Sequence, residues 1–137
     1  MENNVLVVNR GGVLTAWDDD INEYAIKQEE DSTNRILVTC FNLPDNPICI
    51  VNCYLPSGKA TSAMERFRDD LDKLDIIVEK YQATYEILIT GDVNVDHYNR
   101  TGTKETLWTD WLRNNNTFDL NDPEKIVHTY QNEGFYM

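Results

Sequence analysis

The stretch "ILITGDVNVDHYNR", Ile87 to Arg100, decides how this chain is read. Ile87, Leu88 and Ile89 form a short apolar run that predicts a buried strand. Gly91 ends the run, and Asp92, Asn94 and Asp96 then alternate with valines. In extended chain, residues i and i+2 project to one side, so Asp92 and Asn94 would point together across the edge of a sheet. A carboxylate beside an amide suits phosphoester hydrolysis, which needs a base for water and a neutral donor for phosphate oxygens. The same residue types also turn a chain at the end of a strand. What surrounds the corner has to separate the two readings.

Upstream the hydrophobic period changes from two to between three and four. Ala63, Phe67, Leu71, Leu74, Val78 and Tyr81 recur at helical steps with charged residues between them, which predicts an amphipathic helix near Ser62 to Gln82. Ser62-Ala-Met-Glu65 fits a capping box at its start. Before it, "NRILVTCF" and "ICIVNCYL" are β-branched and apolar, and "NLPDNP" between them suits a hairpin loop. "NVLVVNRGGVLTAW" reads as two strands around a turn at Gly11 and Gly12, and "EYAIKQE" as a further short strand. Downstream, a second helix is expected near Thr103 to Asn114, then loop with one strand around Ile126 to Tyr130. Strands that feed helices in this order predict an α/β (α+β) domain, a mixed and mainly antiparallel sheet covered by helices.

The chain has 137 residues, the length of one modest domain, and carries a formal net charge of −12. Proteins that hold nucleic acid through counterion release are usually basic, so this charge argues against a plain DNA-binding module. It leaves room for a phosphoester substrate held through a divalent cation. Cys40, Cys49 and Cys53 form an odd set with no Cys-x-x-Cys pair, which reads as buried thiols in a reducing compartment. The start, "MENNVLVVNR", lacks the basic and long apolar segments of a secretory signal, so an intracellular protein is expected. The sequons at Asn99 and Asn115 then carry no weight. Asp18, Asp19 and Asp20 lack the spacing and glycine of a calcium loop and read as a charged turn. Trp108 and Trp111 read as core on the second helix rather than as a stacking platform.

Gly91-Asp92-Val93-Asn94 after an apolar strand, with Asn52-Cys-Tyr54-Leu-Pro56 ending an earlier one, resembles the endonuclease/exonuclease/phosphatase superfamily. The nearest resemblance is to the endonuclease domain of non-LTR (LINE-type) retrotransposons and their apurinic/apyrimidinic endonuclease relatives. It runs from about Arg10 to Tyr130, and the placement of Tyr-x-Pro about forty residues before the Gly-Asp-x-Asn corner makes it specific. The resemblance implies a four-layer α/β sandwich, of which this chain is the central part, and a Mg²⁺- or Mn²⁺-dependent phosphodiester hydrolase. Asp92 matches the carboxylate that orients the attacking water and lies beside the metal. Asn94 matches the amide on the scissile phosphate, Tyr54 the phenol that contacts it, and Ser57 a neighbouring polar contact to the backbone.

The family's metal-gripping Glu, in a Gln-Glu motif upstream of the Gly-Gly-Val strand, and its terminal Asp-His pair, after the "HTY" segment, find no match at those places, and neither His97 nor His128 stands in the His position. The expectation is a single partial domain, inactive or nearly so by itself, with DNA or another phosphoester as the family's substrate. The expected partners are a flanking reverse transcriptase region or a complementing chain that completes the site, and nuclear placement would follow from a retrotransposon origin. The alternative expectation is a small α/β interaction domain in which the Gly-Asp-x-Asn corner is only structural.

Overall fold

A computed structural model describes residues 12–96 and 101–117. Its element order is a short 3-10 helix at Asp19–Tyr24, strands β1 (Ala25–Glu30), β2 (Ile36–Phe41) and β3 (Ile48–Tyr54), helix α1 (Thr61–Tyr81), strand β4 (Glu86–Asp92) and helix α2 (Thr103–Asn114). Among the described residues the strands form one mixed sheet in the order β1-β2-β3-β4. β1/β2 and β2/β3 are antiparallel hairpins, and β3/β4 is a parallel pair joined through α1. The class is α+β, as expected. The described residues fall into two compact units: 12–57 with 72–94, which holds the sheet, and 58–71 with 95–96 and 101–117.

In the sheet unit, every residue of β2 is buried, so both faces of this strand are covered. On β3, Cys49, Val51 and Cys53 are buried and the alternate residues less so. The register assigns the faces: Ile36, Val38 and Cys40 line up with Cys53, Val51 and Cys49, and these with Gly91, Ile89 and Ile87. Residues 72–81 of α1 lie against this face, where Ile76 and Ile77 meet Ile36 and Val38 around a shallow apolar recess. Leu74, Val78 and Tyr81 supply the buried stripe of that half of the helix. Three polar ties anchor it to the start of the sheet. Lys73 Nζ lies 2.9 Å from Asp31 Oδ2, Lys80 Nζ 2.6 Å from Glu29 Oε1, and the Tyr81 hydroxyl donates to Glu29 Oε2 at 2.7 Å. On the opposite face, Trp17 packs edge-on against Phe41, and Asn52 Nδ2 donates to the Leu14 carbonyl at 2.6 Å.

Asp31 organises the β1–β2 turn. Its Oδ1 accepts the amides of Arg35 and Ile36 at 2.9 and 3.1 Å, and its Oδ2 takes the Thr33 hydroxyl and Lys73. Burial alone would raise this carboxyl, but the Thr33, Lys73, Ile36 and Arg35 donors outweigh it and hold the pKa down at about 2.

In the second unit, Ala63, Phe67 and Leu71 form the buried stripe of residues 61–71. Trp108 and Trp111, also buried, stack with centroids 5.3 Å apart and planes 6° from parallel, so they are core as the sequence suggests. Lys104 Nζ sits 5.3 Å over the Phe67 ring, and desolvation lowers its pKa.

Several expectations need correction. Residues 12–18 form no strand; they are held by side-chain contacts rather than a ladder. α1 begins at Thr61, with the Ala60 carbonyl accepting from Ala63 and Met64, so Ser62 lies inside the first turn and not at a capping box. Asp70, one of the charged residues between the apolar positions of α1, is fully buried. β4 is not a buried strand: its residues alternate between exposed and half-buried, because among the described residues it lies at the edge of the sheet. Leu88 is left 45% exposed there. The turn at Gly11, the region around Ile126 to Tyr130, His97 and His128 lie outside the described residues. No helix among the described residues is long and apolar enough to cross a membrane.

Candidate functional site

β3 and β4 run parallel, so their carboxyl ends open on the same side of the sheet. In open α/β sheets, ligands bind outside the carboxyl ends of the strands. The last pair in this ladder is Tyr54 with Asp92, and residues paired in register share a face. Both lie on the face opposite residues 72–81, and both are exposed, Tyr54 by 41%. The ladder continues one step further, where the Leu55 amide donates to the Asp92 carbonyl at 2.8 Å. Ser57 follows two residues later and is exposed.

Gly91 makes this junction possible. Its φ is +118°, and a Cβ there would stand 1.9 Å from the Cys53 carbonyl oxygen. The backbone of β4 therefore approaches β3 more closely than any side chain permits, just before Asp92. Beyond Asp92 the chain folds into an Asx turn. Asp92 Oδ1 accepts the Asn94 amide at 2.9 Å, and Asn94, at φ +52°, donates from Nδ2 to the Leu55 carbonyl at 2.8 Å. Asn tolerates this left-handed backbone better than most residues.

The structure thus brings together Tyr54, Asp92 and Asn94 at one end of the sheet, with Ser57 close behind in the chain. It also gives Asn94 a structural duty that the sequence does not announce. One amide hydrogen of Nδ2 is committed to Leu55, and the other hydrogen and Oδ1 stay available for a ligand. Asp96 belongs to the second unit, where its amide donates to Glu105 Oε1 at 3.3 Å. Asp18 caps the 3-10 helix by accepting from Asp20 at 3.2 Å, the charged turn expected of that segment.

Sequence reasoning passed over Arg35. The Tyr54 amide donates to the Arg35 carbonyl at 2.8 Å, which extends the β2–β3 ladder by one pair. Arg35, just before β2, therefore stands in a row with Tyr54 on β3 and Asp92 on β4: a residue with a guanidinium, one with a phenol and one with a carboxylate. The signal was present in the hairpin, since pairing Phe41 with Ile48 and counting back leads to Arg35 beside Tyr54.

A divalent metal was also expected. Among the described residues, no three His, Cys, Asp or Glu side chains gather as a ligand set. Mg²⁺ is commonly held by one or two carboxylates together with substrate oxygens and water. Asp92, whose Oδ1 is already engaged by Asn94, fits as a single ligand of that kind and not as a complete site. Comparison with protein-family models and with curated proteins returns no match for this chain.

Proposed function

We propose that the chain is an endonuclease-like, divalent-metal-dependent phosphodiester hydrolase domain that carries the water-orienting half of the site within a larger four-layer α/β sandwich. The observation that supports it is the in-register placement of Tyr54 beside Asp92 at the open carboxyl end of a parallel strand pair, directly before Asn94. Asp92 would orient and deprotonate the attacking water. The Tyr54 hydroxyl, the uncommitted groups of Asn94 and the Ser57 hydroxyl would donate to phosphate oxygens, with the Arg35 guanidinium opposing their charge. When bound, Mg²⁺ or Mn²⁺ would neutralise charge that develops on the phosphate. With one carboxylate for the metal, the described residues supply part of this machinery, and parts of one catalytic unit fail together rather than additively.

A second reading has its own support. The hydrogen bonds from the Asn94 amide to Asp92 and from its side chain to Leu55 make the corner a self-satisfied turn, as a small α/β interaction domain would need. Manganese binding separates the two. We expect Mn²⁺ to bind and Asp92→Ala to weaken it, while supercoiled and abasic-site DNA are nicked at or near background by either protein. Mn²⁺ binding unchanged in Asp92→Ala would overturn the hydrolase reading in favour of the structural corner. Strong nicking that vanishes in the variant would overturn the half-site assignment and mark a complete enzyme.

A further inference from the structure

Cys40 and Cys49 face each other across the β2–β3 hairpin. Both are fully buried, on the face that carries Ile36, Val38, Val51 and Cys53. The hydrogen bond from Tyr54 to Arg35 sets the class of every pair in this ladder. Hydrogen-bonded and non-hydrogen-bonded pairs alternate along antiparallel strands. The register runs without a break from Ile36↔Cys53 to Phe41↔Ile48, so Cys40↔Cys49, five steps from Arg35↔Tyr54, is a non-hydrogen-bonded pair. In that class the Cα atoms stand about 4.5 Å apart and the side chains are closest. The separation falls at the short end of the roughly 4.4–6.8 Å that disulfides span.

We propose that Cys40 and Cys49 are a reversible redox pair that closes into a cross-strand disulfide when the protein meets a peroxide. In the first step one sulfur attacks the peroxide, an S–O bond forms as the O–O bond breaks, and a sulfenic acid and water result. The second sulfur then displaces the sulfenic oxygen, an S–S bond forms, and the remaining thiol proton leaves with that oxygen as water. Two electrons pass from the sulfurs to the peroxide. Burial, followed by the neighbouring Cys40, pushes the Cys49 thiol up to about 12, so the reaction waits on opening of the hairpin and is slow in the closed state. A bridge across so short a span is strained, and strained disulfides are the readily reduced ones. Dithiol reductants would reopen it. The closed bridge ties β3, five residues before Tyr54, to β2, five residues after Arg35.

The experiment treats the folded protein with hydrogen peroxide and counts thiols after denaturation. Expected are three thiols before treatment and one after, a monomer two hydrogens lighter, and return to three with dithiothreitol. Cleavage before Asp45 separates the Cys40 peptide from the one holding Cys49 and Cys53, and without reductant the two should stay joined. Cys53→Ser should cross-link as the parent does, and Cys40→Ser should not. Three surviving thiols, sulfur oxygenation without a cross-link, or a cross-link that needs Cys53 would each overturn the assignment. Because the parent protein is mapped directly, a variant that fails to fold leaves the answer intact.

Discussion

Replacing Gly91 with alanine tests the account of the Tyr54–Asp92 junction. The new Cβ would lie 1.9 Å from the Cys53 carbonyl oxygen and 2.9 Å from the Cys53 carbonyl carbon and nitrogen, where real Cβ atoms keep at least 3.0 Å. The obstacle is backbone, so no side chain can swing aside. Either φ must leave +118°, or β4 must separate from β3 and stretch the bond from the Leu55 amide to the Asp92 carbonyl. Holding an L-residue in such a conformation costs about 1–3 kcal/mol. Overpacking adds about 1–3 kcal/mol, and a lost hydrogen bond about 1 kcal/mol. The sum is roughly 3–7 kcal/mol, a large share of the ~5–15 kcal/mol that stabilises a typical domain. Urea unfolding followed by tryptophan fluorescence measures it, with Asp92→Ala as a control expected to lose no more than about 1 kcal/mol, since its side chain is exposed and holds a single turn hydrogen bond. A loss below about 1 kcal/mol in Gly91→Ala would show that β4 does not approach β3 as described.

Three further outcomes follow from the same geometry. Asp31, only 11% exposed and depressed to about 2 from 3.8, contributes stability that is complete above its ordinary pKa and lost as pH falls through about 2. Acid unfolding between about pH 4 and 2 should therefore lose about 1–2 kcal/mol that Asp31→Ala no longer shows, after allowance for solvent screening. Thr39 is fully buried with no hydrogen-bond partner for its hydroxyl, so Thr39→Val should raise the urea midpoint, by about 1 kcal/mol of stability. At Asn94, glycine should cost only the bond to Leu55, about 1 kcal/mol, whereas alanine should cost about 1 kcal/mol more for its strained positive φ; equal losses in thermal melts would contradict this.

The sequence by itself determined the elements that follow from period and composition. The three- and four-residue spacing from Ala63 to Tyr81 marks α1 because a helix buries one stripe, and all six of those residues are buried. The β-branched runs mark β2 and β3, and α2 lies where it was expected. The corner at Gly91 to Asn94 was also legible, as a strand that ends in polar residues. Only the tertiary structure decided who stands beside whom. Register put Arg35 in line with Tyr54 and Asp92, and Cys40 opposite Cys49, because strand pairing joins residues that no local pattern links. The fold also explains why position 91 is glycine, since the obstacle is a carbonyl on another strand. Asp31 and Asp70 show the same limit from the side of charge. A carboxylate counts as surface in any composition, and whether it is buried depends on donors and neighbours that the fold alone assembles.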